Sequence, residues 1–186
     1  MPARETLIEE LRRHALVIGQ VTLTSGRQAS YYVDAKRAIL RPDGFAALAE
    51  LVAALAREVG ATAVGGLTLG ADAPACAALA GGADVKAFFV RKEAKQHGLQ
   101  RRVEGPPLDP QGERCLVVED VVTTGGSTVQ AIEAVREEGH DVVGVITVLD
   151  RLAGGADAIR RAAEGAPYEP LATIDDIYPE RPDQDG

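Results

Sequence analysis

The stretch Val117-Val118-Glu119-Asp120-Val121-Val122-Thr123-Thr124-Gly125-Gly126-Ser127-Thr128 decides how the rest of this chain is read. With Cys115 and Leu116 before it, it opens as the apolar run that a buried parallel strand leaves in a sequence. Glu119 and Asp120 come at the end of that run, and the carboxyl end of a strand is where an open α/β sheet places its ligands. The turn that follows combines hydroxyls with two glycines, which let backbone N–H groups converge on one point. Val129, Ile132, Ala134 and Val135 continue at helical spacing up to Gly139. A helix N-terminus therefore adds its partial positive charge at the same place, and the whole reads as a phosphate cradle beside two carboxylates.

Outward from this stretch the alternation repeats. Strand signals at 63–67, 85–90, 116–119 and 142–149 are separated by helical patterns at 71–79 and 127–138, which implies a parallel sheet covered by helices. Leu7, Ile8, Leu11, Ala15 and Leu16 predict an amphipathic helix over 5–17. Two extended pieces follow, at 21–24 and 31–34, around the turn Ser25-Gly26-Arg27. A long helix carries Phe45 to Val59 and ends at Gly60, while 156–163 and 168–173 supply a further helix and strand. The segment 178–186, with two prolines and several charges, reads as a loose tail. The stretch 91–112 breaks the pattern: it is long, polar and basic, and such loops in compact domains serve as lids or binding loops.

Composition narrows the function classes. A chain of 186 residues with 46% hydrophobic content fills one domain, 1–186, and is short for two. Its formal net charge of −8 argues against a nucleic-acid face. Arg91, Lys92, Lys95, Arg101 and Arg102 nevertheless crowd into one short stretch, which marks a local anion site. Cys76 and Cys115 lie in apolar surroundings without metal-ligand spacing and read as buried thiols, as in the reducing cytoplasm. No apolar run is long enough to span a bilayer, and the first residues show no signal-peptide pattern. Gly65 to Gly70 lacks the Lys-Ser/Thr of a Walker A loop, and no GxGxxG follows the first strand.

The 117–128 stretch resembles the phosphoribosyl-pyrophosphate (PRPP) signature of the type I phosphoribosyltransferases. That resemblance implies an α/β fold with a central parallel sheet flanked by helices and a small N-terminal hood built from about residues 1–40. It also implies that Thr123, Thr124, Gly125, Gly126 and Ser127 enclose the ribose 5-phosphate, that Glu119 and Asp120 face the ribose hydroxyls, and that Val121 and Val122 belong to the same PRPP site. Arg91-Lys92-Glu93-Ala94-Lys95-Gln96-His97-Gly98 is similar to the mobile catalytic loop of the orotate phosphoribosyltransferases. Three permanent cations and one titratable ring suit the charge that builds on a departing pyrophosphate. The likeness assigns Arg91, Lys92, Lys95 and His97 to PRPP and makes Lys95, His97, Arg91 and Asp120 the catalytic set; the sequence does not choose between Lys95 and His97 as the group that assists the leaving group.

Two further segments extend the likeness. Leu23-Thr24-Ser25-Gly26-Arg27 followed by Tyr31-Tyr32-Val33-Asp34 is similar to the orotate-side segment, and Leu149-Asp150-Arg151 to the place where an arginine pairs with the orotate carboxylate. Thr123, Arg151 and Tyr32 are thereby the implied orotate-binding residues, and a guanidinium suits a planar acid. The implied reaction moves the 5-phosphoribosyl group from PRPP to orotate, giving orotidine 5′-monophosphate and pyrophosphate, in UMP biosynthesis. Mg²⁺ is implied as cofactor, carried by PRPP without direct protein ligands and reaching Asp120 through water. A homodimer that shares the loop between subunits is implied too, with neither nucleic acid nor membrane as partner.

Rival readings are a purine or xanthine phosphoribosyltransferase, against which the basic loop and Arg151 argue, and a PRPP-sensing regulator, which would need a nucleic-acid surface. The chain departs from many bacterial relatives by lacking a lysine at Thr24 and another at Gly70. Backbone N–H groups of residues 68–71, at the start of the next helix, are expected to do more of the binding in their place. His14 and His140 read as a helix-face residue and a post-helix turn residue.

Overall fold

The computed structural model describes residues 2–22, 28–93 and 102–182. Helix α1 (Ala3–Glu10) runs on into one π-helical turn, Leu11–Ala15, and stops where Leu16 takes extended dihedrals, φ −85° and ψ 124°. The helix expected over 5–17 thus yields its last two residues to β1 (Leu16–Thr22), because the β-branched pair Val17-Ile18 suits a strand. β1 pairs antiparallel with β2 (Gln28–Val33), so the extended pieces are longer than expected; the expected turn Ser25-Gly26-Arg27 lies outside the described residues. This helix and hairpin form the hood. The short α2 (Lys36–Ile39) leads to α3 (Pro42–Glu58), which opens with proline at its first position and ends before Gly60 at φ +63°, a conformation that favours glycine.

The main sheet contains β3 (Ala63–Leu67), β4 (Lys86–Val90), β5 (Val103–Glu104), β6 (Arg114–Val122), β7 (Asp141–Asp150) and β8 (Tyr168–Thr173), in the spatial order β5-β4-β3-β6-β7-β8. All neighbours are parallel except β4 and β5. Helices α4 (Asp72–Ala80), α5 (Gly126–Glu137) and α6 (Gly155–Ala163) connect the strands, and α7 (Ile174–Ile177) follows the last one. Alternation along β6 sends Leu116 and Val118 to one apolar layer, with Leu48, Val52, Ile146 and the hood residues Leu7 and Leu11. Cys115 and Val117 go to the other, with Phe88, Ile132, Val135 and Ile159. Each such large side chain contributes about 1.5–3 kcal/mol by leaving water.

Three expectations need adjustment. β6 extends to Val122, so Glu119 and Asp120 lie inside the strand. The stretch 91–112 is not wholly irregular, since Val103 and Glu104 add an antiparallel edge to β4 and the Arg91 N–H donates to the Arg102 carbonyl at 2.9 Å. Cys115 is buried as expected, but Cys76 is exposed, because α4 is apolar all round and its sequence does not mark which face meets solvent. Among the described residues no helix is long and apolar enough to cross a membrane. Strand order reverses between β3 and β6, and a crevice at the carboxyl ends of such a pair is where an α/β sheet takes its ligand.

Candidate functional site

The turn from β6 into α5 wraps a cavity of about 140 Å³ lined by Glu119 and by residues 121–128. Gly125 has φ +80°, which reverses the chain so tightly that a Cβ there would lie 2.7 Å from the Gly155 carbonyl oxygen. The first N–H to find an intrahelical acceptor is that of Val129, on Gly125. The N–H groups of Gly126, Ser127 and Thr128 therefore point out of the helix end into the cavity, where the helix dipole also favours an anion. Thr128 adds a hydroxyl that is buried and has no hydrogen-bond partner. Its place within the loop motif was visible in the sequence, but not the direction of its side chain.

Glu119 and Asp120 are 5% and 7% exposed, far from the open acidic pair that strand-end residues usually make. Burial, and then the charge of Asp120 beside it, push the Glu119 carboxyl up to about 8. Its Oε1 accepts the Asp120 N–H at 3.2 Å, while Oε2 is buried without a partner. Asp120 is held from across the chain by Lys36, whose ammonium donates to Asp120 Oδ2 at 2.5 Å and lies 3.5 Å from Asp34 Oδ1. Burial works against the Lys36 charge, but the hydrogen bond and charge of Asp120 outweigh it and hold that ammonium above its ordinary pKa. Sequence reasoning missed Lys36. A single lysine after a hood strand carries no motif, and only the fold brings it to an acid 84 positions away.

The loop after β3 closes the crevice from the other side. A Cβ on Gly70 would overlap Glu119 Oε1 and come within 2.6 Å of Asp120 Oδ1, so in this arrangement the acid pair occupies the space that a side chain at 70 would need. Of the four N–H groups expected to bind anions there, those of Thr68 and Ala71 are engaged by the carbonyls of Val90 and Leu67. Leu69 and Gly70 are the two whose N–H groups take no backbone acceptor among the described residues. The Thr68 hydroxyl donates to Asp72 Oδ2 at 2.9 Å.

On the opposite flank β7 runs beside β6, pairing Asp150 with Val122, and the Arg151 N–H donates to the Val122 carbonyl at 2.9 Å. Asp150 is 2% exposed and fixes this turn by accepting the Leu152 N–H and the Tyr168 hydroxyl, each at 2.8 Å. The Arg151 guanidinium lies over the Tyr31 ring, 5.0 Å from its centroid, and its Nε is buried without a hydrogen-bond acceptor. The ring beside Arg151 is that of Tyr31, and Tyr32, the expected orotate-side residue, is its neighbour on β2. Successive strand residues face opposite ways, and Tyr32 is 40% exposed. Arg91 sits at the end of β4 and pairs with Glu104 at 3.5 Å; the neighbouring Lys92 is exposed. Lys95 and His97 lie outside the described residues, as do Thr24 and Arg101.

The phosphoribosyl transferase domain family matches residues 48–164, which carry β3 through α6 and so the phosphate loop, the acid pair and Arg151. An orotate phosphoribosyltransferase of Corynebacterium glutamicum is 50% identical over 180 residues, 94% of each chain. A crystal structure of the Mycobacterium tuberculosis orotate phosphoribosyltransferase superposes with a TM-score of 0.83 at 46% identity, covering 95% of this chain and 99% of that one. The same enzyme in complex with PRPP superposes at 0.79 with 41% identity and the same coverage.

Proposed function

Because the chain belongs to the phosphoribosyl transferase domain family, and within it to the orotate phosphoribosyltransferases, we propose that it joins orotate to the ribose of PRPP and releases pyrophosphate and orotidine 5′-monophosphate. One juxtaposition carries this reading: an anion cradle at a helix start, two buried acids and an arginine whose buried Nε has no acceptor meet at the adjacent ends of β6 and β7. The cradle of residues 123–127, with Thr128, takes the 5-phosphate through backbone N–H groups and hydroxyls. Glu119 and Asp120 accept the ribose hydroxyls, and the Lys36 ammonium holds the Asp120 carboxylate in place. Arg151, backed by the Tyr31 ring, receives the carboxylate of the base, since a guanidinium recognises a planar acid through two parallel hydrogen bonds, and Thr123 and Tyr32 complete the proposed orotate-binding set. Displacement at ribose carbon 1 is then a matter of positioning and charge, and Arg91, Lys92, Lys95 and His97 face the departing pyrophosphate.

A divalent metal belongs to this reading, and Mg²⁺ is the one proposed. Among the described residues no group of three or more His, Cys, Asp or Glu could hold an ion. The crevice offers Glu119 and Asp120, with Glu119 Oε2 buried and unpartnered, a donor set that fits a metal brought in on the substrate and met through water at Asp120. When bound, Mg²⁺ would neutralise charge on the pyrophosphate. The enzyme is proposed to work in the cytoplasm as a homodimer in which the 91–112 segment serves the neighbouring site. The exposed Cys76 and the half-exposed Leu79 on the apolar helix α4 support a covered face there. The test is direct: incubate the protein with PRPP, Mg²⁺ and a panel of bases, and measure base consumed and pyrophosphate formed. Orotate should be consumed and purines left. Equal or faster turnover of hypoxanthine, guanine or uracil would overturn the reading.

A further inference from the structure

Resting on the reading that Arg151 receives the carboxylate of the accepting base, we propose that Tyr178, beyond the last strand, is a positioning residue for that substrate: it fixes the Tyr31 ring on which the Arg151 guanidinium lies. The three groups come from distant parts of the chain and stack in series. Tyr178 meets Tyr31 edge to face, with ring centroids 5.4 Å apart and an interplanar angle of 85°. Tyr31 is 2% exposed, and its ring carries Arg151 Cζ at 5.0 Å from the centroid. Arg151 Nε is buried and has no acceptor, so the guanidinium is held by the ring face while a donor stays open.

Tyr178 is itself fixed from behind. Its N–H donates to the Ile174 carbonyl at 2.8 Å, which makes it the end of the α7 turn. Thr173 and Asp176 close that turn with reciprocal hydrogen bonds at its start. Two arginines of the hood grip the same turn: Arg12 donates to the Asp176 carbonyl at 2.6 Å, and Arg4 lies 3.7 Å from the Asp176 carboxylate. Arg181 pairs with Asp175 on its far side. The segment expected as a loose tail, 178–186, therefore begins with an anchored residue; 183–186 lie outside the described residues.

An arginine side chain has several rotamers, and a substrate that had to select one would lose affinity to the ordering. A ring face beneath the guanidinium restricts it to one plane, and a second ring packed perpendicular to the first prevents that face from tilting. Loss of the Tyr178 ring should therefore be felt by the base and not by PRPP, whose phosphate site is built from backbone of the β6–α5 turn.

Steady-state kinetics on the full chain, with each substrate varied at saturating levels of the other, test this in Tyr178→Ala, Tyr178→Leu and Tyr178→Phe, with Arg151→Ala alongside. Tyr178→Ala and Tyr178→Leu should raise the KM for orotate about fivefold, the span an edge-to-face ring pair supports. The KM for PRPP and kcat should stay within about twofold. Tyr178→Phe, which keeps the ring, should match the parent in all three. Leucine preserves apolar bulk, so it reads the ring contact even if alanine unfolds the hood. A lower melting temperature with the KM for orotate unchanged, or equal rises in both KM values, would reduce Tyr178 to a seal on the hood and overturn the proposal. Arg151→Ala separates the two layers of the argument. If it leaves orotate binding untouched, the carboxylate reading fails and the proposal with it; if it weakens orotate while the Tyr178 variants do not, only the role of Tyr178 is lost.

Discussion

Lys36→Met removes the ammonium that Asp120 holds at 2.5 Å while keeping most of the apolar stem. At that separation the attraction between unit charges is about 7 kcal/mol at an effective dielectric of 20 and about 2 kcal/mol in bulk water. The Lys36 side chain is 40% exposed, so screening places the pair toward the lower figure. Asp120 is 7% exposed and would remain buried without its partner, which adds a cost that an exposed pair would not have. A net loss of about 2–3 kcal/mol follows, and if it falls on the orientation of the acids toward ribose it lowers kcat/KM for PRPP by about 30- to 150-fold. Lys36 is also among the influences that pull the Glu119 carboxyl down, so without it the proton now released near pH 8 should be retained to higher pH. The assay is initial rate against PRPP at saturating orotate from pH 6 to 9, for Lys36→Met and Lys36→Arg. The arginine variant keeps the charge and should recover most of the loss, and the limb of the profile near pH 8 should move upward only in the methionine variant. An unchanged kcat/KM for PRPP in Lys36→Met would refute the role assigned to this contact, and equal damage in both variants would show that shape matters there and charge does not.

Further expectations concern the loop, the fold and the assembly. Gly125→Ala should cost about 2 kcal/mol of stability by urea unfolding, from positive φ and the approach to the Gly155 carbonyl, and should abolish PRPP binding by calorimetry. Gly126→Ala, whose Cβ meets nothing nearer than 3.9 Å, should be tolerated, and matching losses in both would mean the loop is not shaped as described. At the opposite end of the sheet, burial disfavours the Glu113 charge, but hydrogen bonds from Lys86, Thr62 and the Asp109 N–H hold its pKa at about 2, against an ordinary 4.5. A depressed folded-state pKa means stability that is present above about pH 4.5 and lost as pH falls toward 2, worth about 3 kcal/mol. Denaturant midpoints should drop across that window in the parent and less so in Glu113→Gln; parallel curves would remove the assignment. Finally, mixing Lys95→Ala with Asp120→Ala under conditions of proven subunit exchange should restore activity if the loop serves the neighbouring subunit, since each heterodimer then has one intact site. Mixtures as inactive as their parents would place each loop in its own subunit.

How much of this could be read beforehand differs by kind of feature. The central strands and helices were legible because apolar periodicity is local: the strands at 63–67 and 168–173 fall where expected, and the larger helices shift by only a few residues. Their ends were less so, since β6 gains Val121 and Val122 through pairing with β7, and pairing is a tertiary event. Within the site, the phosphate loop and the acid pair were legible because they lie in one continuous stretch whose residue types are required together. The amino-acid sequence by itself thus determined an α/β sheet with an anion cradle and two carboxylates at a strand end. Only the tertiary structure decided that these acids are buried, that Lys36 holds one of them, that the residues after β8 grip the hood and that Tyr31, not Tyr32, lies under Arg151. The physical reason is range. Backbone conformation is set by neighbours a few positions apart, whereas a carboxylate's charge or a guanidinium's orientation is set by whatever the folded chain brings within a few ångströms, from any distance along the sequence.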